Sequence, residues 1–245
     1  PMQDLGTPAP ASPSTGGAGK IPVLRTDIIL ADFVGFSTLD DAGQFVSMSV
    51  VSRLMGGIMD RLAVQSFGKK VDMAIGWVPT GDGFYIILNP KVIGTALFVA
   101  LSLRQALMTR VNATVGLKGV RFAVHHGTAI PFDDVTGKRN YIGTGLNDAA
   151  RLLSLKPEEA AMARSFHRDD NFIIASEEAL NHFQMAYPQD EIQTFLDMNG
   201  WRQSVKFKLV DKHGKVHPYS FVDIHRDASM NIPHIVNPYN PAALM

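Results

Sequence analysis

Apolar positions along this chain change their spacing several times, and each change marks an element. Leu24 to Leu39, LRTDIILADFVGFSTL, holds the continuous apolar run Ile28 to Ala31. Such a run predicts a buried strand, here ending in a carboxylate, Asp32, and passing into the turn Val34-Gly35-Phe36-Ser37. Asp40 or Asp41 then caps a helical stretch to about Phe67, with Phe45, Met48, Val51, Leu54, Met55, Ile58 and Leu62 at helical spacing. Gly56-Gly57 is a candidate break in that stretch, and Gly68 a C-terminal cap. Val71 to Val78 and Phe84 to Leu88 read as strands around Thr80-Gly81-Asp82-Gly83. Asn89-Pro90 is expected to open a helix reaching about Val111, apolar over much of its circumference.

Beyond it, Val120 to Gly127 reads as a strand with Thr128 to Phe132 as its hairpin partner, followed by a polar turn, Asp133 to Asn140. Gly145 to Leu155 is a short helix and Pro157 to about Ser165 another; Asn171 to Ala175 is a strand and Glu177 to about Met185 a helix. Val205 to Val210 and Tyr219 to Ile224 form a last hairpin. Hairpins mixed with helices, without steady βαβ alternation, predict an α+β fold with helices over a largely antiparallel sheet. Residues 1–22, rich in Pro, Gly, Ser, Thr and Ala, read as a flexible head; 23–225 form one domain, and 226–245 an irregular tail.

Composition narrows the function classes. Lys+Arg and Asp+Glu number 23 each, so no global field favours nucleic acid or an anionic membrane, and any anion binding must be local. The absence of cysteine excludes disulfides and thiolate metal sites and allows a reducing compartment. Val92 to Leu103 is too short to span a bilayer, and no basic segment leads into an apolar core at the N-terminus. A cytoplasmic protein is expected. Gly16-Gly17-Ala18-Gly19-Lys20 is faintly like a phosphate loop, but it lacks the spacing, the hydroxyl after lysine and a preceding strand.

Two carboxylates carry the candidate chemistry. Asp32 closes a buried strand, and Asp82 lies 50 residues on in a Gly-Asp-Gly turn. Alone, Asp32 reads equally well as a cap, and Asp82 as an ordinary hairpin residue. Together they could hold a hard divalent cation. Adjacent His125 and His126 on a strand point to opposite faces and cannot chelate one ion together; one is expected in the core and one near the surface. Trp77 and Trp201 read as packing residues.

The order ADFVGFSTL, PTGDGFYIIL, RFAVHHG, NYIGTGLNDAARL resembles class III nucleotidyl cyclases over roughly Thr26 to Ile224. The resemblance implies two divalent metals, Mg²⁺ or Mn²⁺, on Asp32, Asp82 and the backbone carbonyl of Phe33. It implies a phosphate cradle at Gly35, Phe36 and Ser37, and a phosphate-binding lysine in the last hairpin, Lys212 standing for a position that Lys208 and Lys215 also flank. Asn147 and Arg151 match the family's Asn-x-x-x-Arg pair, on one helix face by their i, i+4 spacing. There Arg151 would stabilise charge on the α-phosphate and Asn147 orient the ribose, completing the site of a partner in a head-to-tail homodimer. A pair between Arg151 and Asp148, three residues apart, is the plain alternative.

The chain departs from the family where the base is read. The lysine and aspartate that select adenine are replaced by Val78 and Asn140. A site that hydrogen-bonds a base edge discriminates by about 10⁴-fold, and this replacement removes that handle. In that respect the chain looks most like the standalone bacterial pyrimidine cyclases of anti-phage defence, which implies UTP, then CTP, as substrate. A purine or relaxed cyclase and a degenerate cyclase-homology module are the alternatives.

Overall fold

A computed structural model describes residues 21–107, 116–155, 159, 161, 171–187, 189–198 and 200–224. The head through residue 20, the tail from 225 and nearly all of the helix expected at Pro157 to Ser165 lie outside these residues.

The sheet has the order β2-β3-β1-β4-β6-β9-β7, with β5 paired to β4 and β8 to β9. Its strands are β1 (Leu24–Val34), β2 (Ala74–Pro79), β3 (Gly83–Leu88), β4 (Gly119–Asp133), β5 (Arg139–Ile142), β6 (Phe172–Ser176), β7 (Trp201–Gln203), β8 (Phe207–Val210) and β9 (Val216–Ile224). Among the described residues only β4 and β6 pair in parallel, and every other pairing is antiparallel. The expected α+β class is the observed one. Strand alternation divides the core into two. On β1, Ile29, Ala31 and Phe33 face a helical layer, while Ile28 and Leu30 face the other side.

The helical layer contains α1 (Asp41–Phe67), α2 (Ala96–Ala106), α4 (Glu177–Met185) and α5 (Gln189–Met198). Asp40 caps α1 by accepting a hydrogen bond from the Gly43 amide, and Gly68 ends it in the left-handed conformation. Val51, Met55, Ile58 and Leu62 are buried at helical spacing, but Phe45 is 74% exposed and does not join the core. Helix α1 passes through Gly56-Gly57 without a break. Helix α2 is buried on every side, as its sequence requires, and its Arg104 forms a buried ion pair with Asp223.

Three boundaries differ from expectation. Strand β1 continues past Asp32 to Val34, because β4 pairs it to the end. Helix α2 begins at Ala96 rather than at Asn89-Pro90; the Asn89 side chain instead accepts from the Lys91 amide and its carbonyl from Val92, which closes a turn. Thr128 to Phe132 is no hairpin partner but the far half of β4, and the partner is β5 across the turn at Asp134 to Lys138. Helix α5 and strand β7 were not expected. On the other face lies α3 (Thr144–Leu153), whose Leu146, Ala149 and Leu152 bury against the sheet.

Candidate active site

Asp32 occupies an inner position of the sheet. Across β3 its partner is Gly83, and across β4 it is Arg121. The Phe33 amide donates to the Asp82 carbonyl at 2.8 Å, which fixes the Gly-Asp-Gly turn beside the end of β1. The approach is so close that a Cβ on Gly83 would lie 2.0 Å from the Ala31 carbonyl oxygen. Only glycine fits there. Gly83→Ala is expected to separate β3 from β1 at this point and to lower stability by about 1–3 kcal/mol, as overpacking does, read as a fall in Tm.

The electrostatics of the pair suit a cation. Burial pushes the Asp32 carboxyl above the ordinary carboxylate range, and the charge of Asp82 pushes it the same way. Arg121 opposes both without cancelling them: Nε donates to Oδ2 at 2.7 Å and Nη2 donates to the same oxygen. A buried carboxylate such as Asp32, its ionisation disfavoured by burial and by the exposed Asp82 beside it, is stabilised by bound positive charge. All-oxygen donors of this kind match Mg²⁺ or Mn²⁺.

Gly35 to Ser37 form a turn with Gly35 at φ 82°, leading into one 3-10 turn, Phe36–Thr38, that is separate from α1. Phe36 is buried against Phe33, and Ser37 is exposed. Three residues are too short for a helix macrodipole, so any anion here would rest on individual amides. The stem of Lys118 lies against Gly35: a Cβ added there would meet Lys118 Cδ at 3.1 Å. Arg121 and Lys118 thus flank the turn, and neither was singled out from the sequence. The available signal was a cation interrupting the apolar strand Val120 to Val124.

Asn147 and Arg151 lie on α3, Asn147 exposed and Arg151 half-buried. Arg151 Nη1 donates to Asp148 Oδ1 at 2.8 Å, and Nε lies 3.2 Å from Asp211 Oδ2. The pair three residues apart therefore forms, and with a second carboxylate. Asp148 also receives Lys215 Nζ at 2.6 Å, and His217 Nε2 lies 3.3 Å from Asp211 Oδ2. Burial opposes the charge on Asp148, but Lys215 holds its carboxyl below the ordinary range. Asp211 is held down to about 2, chiefly by the His213 amide and His217 against the cost of desolvation. Lys215 is thus the hairpin lysine that reaches α3, while Lys212 sits exposed in the turn.

One chain does not bring Arg151 to the two aspartates. The row of Asp32 continues through Arg121 to Phe172, one step from the Ile173–Val222 pair. Strand β9 is three strand spacings from β1, about 14 Å, and His217 lies five residues below Val222, about 16 Å along the strand. The Asp32–Asp82 group and the Arg151 cluster thus lie on one sheet face roughly 20 Å apart.

Val78 and Asn140 come from β2 and β5, which the structure packs together: the Tyr141 hydroxyl donates to the Ile75 carbonyl at 2.6 Å. Val78 pairs with Tyr85 on the same face as Leu30, and Asn140 turns its Oδ1 to the Tyr141 amide at 2.8 Å. His125 and His126 do face opposite sides. His125 is buried and shares a hydrogen bond with Ser176 Oγ, and burial pushes its pKa down. His126 is not a surface residue: it bonds the buried Asp27. Trp77 packs on Phe84 and lines a groove of about 450 Å³ beside α1, on the helical face away from the Asp32 carboxylate. Trp201 stacks on Phe183.

No family model matches the chain, and no characterised protein matches it in sequence. Solved structures match it in fold. The catalytic core of a rhodopsin-guanylyl cyclase with converted specificity, in complex with ATPαS, aligns with a TM-score of 0.54 at 13% identity, over 83% of this chain and 99% of that one. A guanylate cyclase domain from Catenaria anguillulae, in complex with GTP, aligns at 0.54 and 14% identity, over 82% and 97%. A monomeric double mutant of a guanylyl cyclase domain from Blastocladiella emersonii aligns at 0.52 and 13%, over 82% and 96%. The fold is that of nucleotidyl cyclase catalytic domains.

Proposed function

We propose that this protein is a nucleotidyl cyclase that converts a pyrimidine nucleoside triphosphate, UTP before CTP, to its 3′,5′-cyclic monophosphate and pyrophosphate. The observation that carries the reading is the junction of Asp32 with the Asp82 turn, where a buried carboxylate that favours a cation feels the charge of a second one beside Arg121 and Lys118. The similar folds include domains bound to GTP and to an ATP analogue. Asp32, Asp82 and the Phe33 carbonyl would hold Mg²⁺ or Mn²⁺, two per site, which when bound acidify the ribose 3′-hydroxyl and neutralise charge on the pyrophosphate. In the reaction the 3′-oxygen forms a bond to the α-phosphorus as the bond from that phosphorus to the bridging oxygen of the β-phosphate breaks.

This chain's residues then have distinct tasks. Amides of Gly35 to Ser37 suit phosphate oxygens, with Arg121 as a charge-assisted donor, and Lys118 or the hairpin lysine Lys212 adds positive charge. Arg151 uses Nη1 and Nε on Asp148 and Asp211, which holds its fork rigid and leaves Nη2 for the α-phosphate. Asn147, exposed one turn earlier, suits the ribose. The separation of roughly 20 Å within one chain supports composite sites in a head-to-tail homodimer. Val78 withdraws the cationic handle from the base pocket, and Asn140 can both donate and accept, which suits a pyrimidine edge. A product of this kind fits an alarm signal in bacterial antiviral defence.

A second reading, a degenerate cyclase-homology module used for binding or dimerisation, draws on the same ion pairs: Asp32 has Arg121, and Arg151 has two carboxylates. One experiment separates the two. The protein is offered each of the four nucleoside triphosphates with Mn²⁺, and products are identified by mass. Cyclic UMP is expected to dominate, with cyclic CMP next. No cyclic product from any nucleotide overturns the enzyme, and a purine product alone overturns the pyrimidine choice.

A further inference from the structure

Five residues before Asp32 on the same strand, Asp27 faces the opposite side of the sheet, about 16 Å away along β1. It is 4% exposed, a carboxylate beneath the helical layer. Two imidazoles from different elements point the same nitrogen at the same oxygen. His126 Nδ1, directly across the β1–β4 pairing, lies 2.7 Å from Asp27 Oδ1, and His182 Nδ1, on α4, lies 2.9 Å from it. The two rings stack with centroids 3.9 Å apart and planes tilted by 33°.

We propose that Asp27, His126 and His182 form a transition-metal site, with Zn²⁺ as the preferred ion. The three donor atoms lie within 4.8 Å of one another. Tetrahedral zinc with nitrogen and oxygen ligands separates its donors by about 3.4 Å, so the two N···O distances need to open by about 0.5–0.7 Å. The ligand set sorts the metals. Two imidazoles and one carboxylate favour zinc and its neighbours over magnesium, whereas the all-oxygen pair at Asp32 and Asp82 favours magnesium or manganese. The carboxylate already faces both imidazole nitrogens from a buried position. Tyr187, whose hydroxyl feels the Asp27 charge, does not compete for the ion. Its hydroxyl donates to the Gly94 carbonyl, and burial together with the Asp27 charge keeps it protonated.

A plain buried hydrogen-bond triad is the alternative. It makes both imidazoles donate through Nδ1, because an ionised carboxylate only accepts. An ion would displace those two protons from Nδ1 and select in each histidine the tautomer that leaves Nδ1 as a lone pair. His182 is 25% exposed at its side chain, which leaves room for water as a fourth ligand. A bound ion would tie β1, β4 and α4 together. It would lie on the sheet face opposite the nucleotide site and owes nothing to the reaction proposed above.

The test uses the full chain, stripped with a chelator and titrated with Zn²⁺ against a chromophoric competitor, with Co²⁺ as a spectroscopic probe. The Asp32→Asn protein serves as background to remove the other carboxylate site. One Zn²⁺ per chain is expected in that background, with a tetrahedral Co²⁺ absorption band and a rise in Tm. His182→Ala, a change at a partly exposed helix position, is expected to weaken Zn²⁺ at least about 100-fold and to abolish the band. His126→Gln, checked for folding by circular dichroism, is expected to do the same. Absence of tight Zn²⁺ in the background protein overturns the proposal, as does equal binding by the His182→Ala protein.

Discussion

Asp32→Asn is expected to reduce cyclic nucleotide formation by roughly 10²–10³-fold or more while leaving the fold intact. That is the scale of loss when one preorganised electrostatic contact to a transition state is removed. Asparagine keeps the shape and one oxygen but cannot carry the charge that two divalent cations require. Stability is expected to hold for a separate reason. Burial and Asp82 already disfavour the Asp32 charge, so removing it takes away an electrostatic cost as well as the partner of Arg121. The ion pair it breaks is partly exposed, 18% at Asp32 and 37% at Arg121, and such pairs contribute about 0–1 kcal/mol. Activity with Mn²⁺ and Tm, measured on the same preparation, check both halves. Near-normal activity would remove Asp32 from the metal site; a collapsed Tm would make it a structural residue instead.

Arg151→Ala is expected to lose a similar factor, and Arg151→Lys to recover little of it. The guanidinium is planar, with donors in a fixed fork, so it can bind Asp148 and Asp211 and still present Nη2. An ammonium on a flexible stem can satisfy the carboxylates or the phosphate, but not all three in one geometry. Truncation to alanine also leaves two buried acids, with side-chain exposures of 8% and 5%, short of one cation, so some loss of Tm accompanies it. The discriminating measurement is complementation. Asp32→Ala and Arg151→Ala proteins, each inactive alone, are mixed; a mixed head-to-tail dimer contains one site with all its groups, and partial recovery is expected. No recovery would count against sites shared between two chains.

Several features follow from residues close together in the chain. Asp40 caps α1, Gly68 ends it, Glu177 to Met185 forms a helix, and Ala96 to Ala106 is buried on all sides. Each depends on spacing and capping over a few residues, which is the range a one-dimensional pattern covers. The α+β class follows from the same patterns taken in order. Asn89 shows where this reasoning fails, since the same asparagine and proline that start helices also close turns. The long β4 shows it again: Thr128 to Phe132 could turn back or run on, and pairing with β5 decided.

By itself, then, the sequence determined the kinds of element, the carboxylates at the strand and turn, and the Asn147–Arg151 spacing. The tertiary structure alone decided which side chains meet. Arg121 stands opposite Asp32 from 89 residues away, and His126 and His182 converge on Asp27 from 99 and 155 residues away. Strand register makes these meetings, and a slip of one residue would send every side chain of a strand to the other face. Register is set by pairing with partners far along the chain, so no local pattern carries it.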